Sequence, residues 1–253
     1  MFRSLYKTVA RPVTLFKPFN TPIPHQIPIA KPRLLLPTIQ TKYFASIKMA
    51  DTKTFIEAVK DRRSYYDLKP ESPIPDSRIE EIVKTAIEVL PSSFNSQSAR
   101  LVLLYGDHHK KLWDITRDGL FAFIPEEQKE SSGARISGFK NAYATILFFE
   151  DSAPIKELQA AFAPYADKFP QWSEHTSAIH QFFLWTALEA EGFGANLQHY
   201  SPIIDDKVKE EWGVDKDYRL IAQLVFGTPN SPPGDRPKLV TLKPLEETFR
   251  IFK

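Results

Sequence analysis

Tyr143-Ala144-Thr145-Ile146-Leu147-Phe148-Phe149 carries no charge and is apolar almost throughout. A strand without polar alternation is buried on both faces, so this run predicts a central strand. Two further runs read the same way: Arg100-Leu101-Val102-Leu103-Leu104-Tyr105, closed by Gly106, and Arg219 to Phe226, closed by Gly227. Helices fall between them. Lys53 to Arg62 places Phe55, Ile56 and Val59 on one face. Pro75-Asp76-Ser77 starts a helix over 73–90, whose stripe is Ile79, Ile82, Val83, Ala86, Ile87 and Leu90, and Pro91 ends it. His108 to Asp118, Ile155 to Lys168 (interrupted by Pro164) and Asp205 to Trp212 are also expected to be helical. Ser173 to Glu191 is the strongest helix. It is apolar nearly all round (Ile179, Phe182, Phe183, Leu184, Trp185, Ala187, Leu188), which predicts a central buried helix. Residues 119–140, with Pro125, Gly133 and Gly138, read as a loop. The alternation gives an α+β or α/β layer with buried strands.

Composition narrows the classes. Of 253 residues 42% are hydrophobic, enough for a sizeable core, and no cysteine is present. That excludes a disulfide framework, a thiolate nucleophile and a cysteine zinc site. The net charge of +2 hides an asymmetry. Residues 1–48 hold eight basic residues (Arg3, Lys7, Arg11, Lys17, Lys31, Arg33, Lys42, Lys48) and no acid. Subtracting those eight from the chain's 33 leaves 25 basic against 31 acidic residues in 49–253, a net of −6. The body is mildly acidic, so nucleic acid is not an expected partner. No apolar run approaches the ~20 residues of a membrane-spanning helix.

The tail, residues 1–48, also carries Pro12, Pro18, Pro22, Pro24, Pro28, Pro32 and Pro37, which bars a long helix or packed sheet. Its first turns place Phe2, Leu5, Tyr6, Val9 and Val13 near helical spacing, with Arg3, Lys7 and Arg11 four apart. A short, acid-free, basic amphipathic segment reads as a mitochondrial transit peptide. The alternatives are a disordered basic arm, or sequence upstream of a second start at Met49. Translation from Met1 would then give a mitochondrial protein, and from Met49 a cytoplasmic or nuclear one. Residues 49–253 form the expected single domain.

Three stretches of that domain carry candidate chemistry. Arg62-Arg63-Ser64 sits where the first helix exits. Two guanidiniums beside a hydroxyl suit a phosphate, although a solvated helix end has the same composition. Pro91-Ser92-Ser93-Phe94-Asn95-Ser96-Gln97 is a polar loop. Its amides offer donor and acceptor together, as a heteroaromatic edge requires, and ordinary turn chemistry is the alternative. Glu191-Gly192-Phe193-Gly194-Ala195-Asn196 ends the long helix, with Gly192 as its stop and Gly194 permitting close backbone approach. It is no dinucleotide fingerprint, since no strand precedes it and the third Gly is missing. His108-His109 has no acid at ligand spacing and reads as surface, with no metal site. No Gly-x-Ser-x-Gly elbow is present, which excludes a Ser-His-Asp hydrolase of that type.

In their order and spacing these motifs, with a basic residue in the closing Pro/Gly turn and the Pro244-Leu245-Glu246-Glu247 tail, resemble the FMN-dependent nitroreductase family. Gln198-His199-Tyr200-Ser201-Pro202 is similar to the signature of its fungal and bacterial nitroreductase-like branch. The resemblance covers roughly 53–253 and implies an α+β fold with a mixed central sheet flanked by helices, in an intertwined homodimer with FMN at the interface. It implies that Arg62, Arg63 and Ser64 hold the ribityl phosphate, with Lys238 or Arg236 closing that site. Ser92, Ser93, Asn95 and Gln97 would contact the isoalloxazine from one subunit or the other. Gly192, Phe193 and Gly194 would lie along the ring. Tyr66 stands where the family often has a further Arg, and Ser98-Ala99-Arg100 follows the Gln where larger groups place an aromatic-basic stretch.

The implied activity is transfer of electrons from NADH or NADPH through FMN to a nitroaromatic, quinone or related small oxidant, in a ping-pong cycle. The chemistry belongs to the flavin, so no catalytic side chain is assigned. His199 and Tyr200 are the candidates for contact with the substrate; the alternative is a structural polar pair. The rival reading, motivated by Tyr66, is a catalytically weak or flavin-free regulator of the same fold acting through protein partners.

Overall fold

The computed structural model describes residues 53–234 and 243–253. The basic tail lies outside the described residues, as do Arg236 and Lys238.

The sheet is built on β5 (Tyr218–Pro229). On one side β5 pairs with β3 (Ala144–Asp151), Ala144 opposite Phe226. On the other it pairs with β4 (Gly194–Gln198), Gly194 opposite Gly227, and beyond that with β1 (Leu68–Lys69), Leu68 opposite Pro229. β2 (Ala99–Tyr105) forms the outer edge beside β3. Every ladder is antiparallel, and a single parallel bridge joins Ser64 to Ala195.

Every residue of β3 is buried, as its unbroken apolar run predicts. Successive side chains enter opposite faces of a strand. Leu147 and Phe149 therefore pack with Trp113, Phe139 and Val208, which come from α3 (Gly106–Phe121), α4 (Glu126–Lys140) and α7 (Asp205–Trp212). Ile146 and Phe148 pack with Ile79, Ile82, Leu184 and Leu188, from α2 (Asp76–Val89) and α6 (Phe169–Ala190). The result is an α+β sandwich of helices, sheet and helices. The remaining helices are α1 (Phe55–Asp61), α5 (Ser152–Ala161) and α8 (Leu245–Thr248), with a 3-10 turn at Ala163–Tyr165 around Pro164.

Three expectations are corrected, and one strand is located. Residues 126–140 are helical rather than loop, because α4 lies on α3 and buries only Ile136 and Phe139, too few to show a stripe. Gly194–Gln198 is a strand, held by pairing with β5 and not by local pattern. His109 is buried rather than on the surface. Its Nδ1 lies 2.9 Å from Thr145 Oγ1, and burial lowers its pKa to about 4, keeping it neutral. Finally, α6 buries only part of its apolar circumference: Ile179 is 41% and Phe182 42% exposed in the single chain. Phe55 of α1, 64% exposed, meets Phe182 edge-on at 6.4 Å, so α1 and α6 share an uncovered apolar face.

Candidate functional site

Thr54 and Glu57 form a capping box that starts α1, and Lys53 ties the helix to α6 by an ion pair with Glu189 at 2.9 Å. Arg62 closes α1 with its N–H on Ala58 O at 2.9 Å, and its ψ of 122° turns the chain out of the helix. Its guanidinium carbon stands 4.3 Å from the centre of the Trp185 ring. Arg63 Nη2 donates to Gly234 O at 3.2 Å, which brings the closing Pro/Gly turn to the same place. The following residues run along β4. Ser64 bridges to Ala195, the Tyr65 N–H donates to Ala195 O at 2.9 Å, and Asn196 Nδ2 donates to Tyr65 O at 2.6 Å.

The two glycines at the start of that strand and just before it differ. A Cβ on Gly194 would lie 2.8 Å from Tyr65 Cβ and Cγ and 2.9 Å from Leu68 Cδ2, so packing demands a glycine there. Gly192 has φ of +94°, and a Cβ would meet nothing closer than Pro73 at 3.8 Å. It ends α6, with its N–H donating to Glu189 O at 3.0 Å. Phe193 turns its ring into the core against Phe226, centroids 5.2 Å apart, so any cofactor contact falls to its backbone.

The loop after α2 contains a 3-10 turn, Ser93–Asn95. Phe94, Asn95 and Gln97 all have positive φ (56°, 51° and 48°), a costly conformation for a bulky residue unless it is held. Here Phe94 is held among Phe162, Phe169 and Trp172, at 5.1, 5.3 and 5.8 Å. The Gln97 N–H donates to Ser92 Oγ at 3.0 Å, and Arg100 Nη1 donates to Gln97 O at 2.6 Å. Arg100 is itself fixed by Asp151 at 2.8 Å. The loop borders a cleft of about 410 Å³ with Thr176 and His180 of α6. Asn95 and Gln97 are exposed, and their side-chain amides have no protein partner among the described residues.

Behind this loop lies a group the sequence reading missed. Ser98 Oγ donates to Glu150 Oε2 at 2.5 Å, and Glu150 is 2% exposed. Burial pushes its carboxyl up to about 7, against the opposing pull of the Ser98 bond and of Arg219 and Arg100. The available signal was an acid closing an otherwise apolar strand. Arg135, in the segment read as loop, was also missed; it borders a cleft with Tyr66 and Gln198.

One chain brings Arg62, Arg63, Ser64, Gly192 and Gly194 together. It does not bring Ser92, Ser93, Asn95 and Gln97 to them. Trp172 packs on the loop and Trp185 lies under Arg62, about 20 Å apart along α6 at a helical rise of ~1.5 Å per residue. His199 and Tyr200 do not act as a pair. His199 is exposed, while Tyr200 is half-buried with its ring 6.0 Å from that of Trp113.

A model described as the nitroreductase family matches residues 59–228, from within α1 almost to the end of β5. The chain belongs to the nitroreductase family. This nitroreductase is 39% identical to HBN1 and 34% identical to the nitroreductase FRM2, both of Saccharomyces cerevisiae, over 74% of its length and 94% of theirs. It is also similar to the nitroreductase CinD of Lactococcus lactis, at 41% identity and a TM-score of 0.70, over 79% of this chain and all of CinD. CinD has been solved with chloramphenicol and with 4-nitrophenol. The fold and the relatives make the chain an oxidoreductase of nitroreductase type.

A flavin mononucleotide fits the donor set of this nitroreductase. Two guanidiniums and a hydroxyl stand at one end of α6 and unengaged amides at the other. Among the described residues no His/Asp/Glu group is placed to hold a metal, and no helix is long and apolar enough to cross a membrane.

Proposed function

We propose that this nitroreductase binds FMN and passes electrons from NADH or NADPH to a nitroaromatic, quinone or related small oxidant. The observation that carries this is the seating of Ser64 and Tyr65 on Ala195, which sets the two arginines and Ser64 beside the start of β4. Arg62, Arg63 and Ser64 would neutralise the phosphate, and Lys238 or Arg236, outside the described residues, is the further cation proposed for that site. Ser92, Ser93, Asn95 and Gln97 would donate to the ring edge, where fixed dipoles stabilise the negative charge of the reduced ring. Because the two sets are far apart on one chain, the second comes from another copy, and the exposed Phe55, Ile56, Ile179 and Phe182 are the face that a homodimer would cover. A flavin bound there would supply hydride acceptance and two-electron reduction, and alternating use of one site by donor and oxidant would give a ping-pong order. The CinD complexes with 4-nitrophenol and chloramphenicol support a small aromatic oxidant.

Initial rates with FMN-loaded full-length protein test this reading. Parallel double-reciprocal lines for NAD(P)H at several fixed 4-nitrophenol or quinone concentrations are expected. Intersecting lines would remove the ping-pong order, and no NAD(P)H oxidation with any of these oxidants would remove the reductase. The absence of turnover would favour the regulator, for which Tyr66, 60% exposed, would be part of a partner-binding surface.

A further inference from the structure

We propose that Arg135 and Gln198, walled by Tyr66, form an anion subsite that selects aromatic oxidants bearing a carboxylate. This deepens the oxidoreductase reading and rests on it.

α4 turns Ile136 and Phe139 into the core, which leaves the neighbouring Arg135 on its exposed face. Arg78, Arg100, Arg117 and Arg219 are all ion-paired within the chain. Arg135 has no hydrogen-bond or ion-pair partner among the described residues and borders a cleft of about 490 Å³ with Tyr66 and Gln198. That volume lies in the range of small-molecule sites, ~300–1,000 Å³. A guanidinium fork matches a carboxylate in a plane and holds it by two parallel hydrogen bonds.

The opposite wall is preset. Gln198 Nε2 donates to Asn196 Oδ1 at 2.9 Å, and Asn196 in turn donates to Tyr65 O. The chain of amides fixes the Gln198 side chain and leaves one Nε2 hydrogen for a ligand. Tyr200 lies within reach of the Arg135 charge: burial raises its pKa and the Arg135 charge opposes that rise. The cleft is bordered by Tyr66, two residues beyond Ser64, and by Gln198 at the end of β4, the strand whose Ala195 bridges to Ser64 beside the proposed flavin. An aromatic ring lying against Tyr66 would present its acid group to Arg135 and its reducible group to the cofactor.

The test uses FMN-loaded full-length protein. Binding of 4-nitrobenzoate and of its neutral isostere 4-nitrobenzamide is measured by equilibrium titration, and kcat and KM by NAD(P)H oxidation. The unaltered protein should prefer the benzoate. Arg135→Met should cut that preference about tenfold, the scale of one charge-assisted contact, through KM and not kcat, and Arg135→Lys should restore part of it. An unaltered preference in Arg135→Met, equal weakening of both ligands, or loss of FMN would each overturn the subsite; the last would assign Arg135 to the cofactor. If the unaltered protein shows no turnover, the oxidoreductase reading fails, and the binding ratio still decides the subsite.

Discussion

The guanidinium of Arg62 stacks on the indole of Trp185, 4.3 Å from its centre. One residue closes α1 and the other lies on the last turns of α6, so the contact holds the cation where the two helices meet. A cation over an indole is held by the negative face of the ring, which fixes the charge at the mouth of the proposed phosphate site. Arg62→Ala should weaken FMN by about 1–3 kcal/mol and Trp185→Leu by about 1 kcal/mol, both read by fluorescence titration of the apoprotein with FMN. Unchanged affinity in both variants would move the phosphate elsewhere.

Gly194 supports the same segment from below. Gly194→Ala puts a methyl against Tyr65 and Leu68, which should cost about 1–3 kcal/mol in urea unfolding and weaken FMN as Ser64 is displaced from Ala195. Gly192→Ala meets open space and carries only the cost of its positive φ, about 1 kcal/mol. Equal stability losses would show that Tyr65 gives way easily.

Glu150 links stability to pH. Its carboxyl is raised from an ordinary 4.5 to about 7, so between those values the unfolded chain releases a proton that the folded chain keeps. The group contributes nothing below 4.5, destabilises progressively up to about 7, and its cost stays constant above that. Glu150→Gln, which can still accept from Ser98, should therefore gain on the unaltered protein by about 3 kcal/mol between pH 4 and pH 8. Urea unfolding at the two pH values reads this, and a stability difference independent of pH would show that Glu150 titrates normally.

The apolar face of α1 and α6 gives a fourth prediction. Phe182→Asp should convert a dimer to a monomer in light scattering and release FMN, because the ring-edge amides belong to the second copy. A dimer that persists would place the interface elsewhere.

Much of this was legible in the chain. Ile146 to Phe149 announced a strand buried on both faces, and Ile79 to Leu90 announced α2, because burial there leaves a periodic mark. α4 left none, since only Ile136 and Phe139 face inward. β4 opens at a glycine and is defined by its partner, so no local pattern could reveal it. At the site, Arg62 to Ser64 and Gly192 to Gly194 were legible as separate motifs, and the structure joins them through the bridge from Ser64 to Ala195 of β4. The distance to Ser92–Gln97 was not legible, because it follows from the length of α6 between two aromatic contacts. Glu150 and Arg135 were hidden for opposite reasons, one at the end of an apolar strand and the other in a segment too polar to be read as a helix.

The central claim is met most directly by the absorbance spectrum of purified full-length protein, incubated with FMN, freed of excess, and recorded before and after anaerobic NAD(P)H. Flavin bands that stay with the protein and bleach on addition are the predicted result. No retained bands, or bands that NADH and NADPH both leave unchanged, would contradict it.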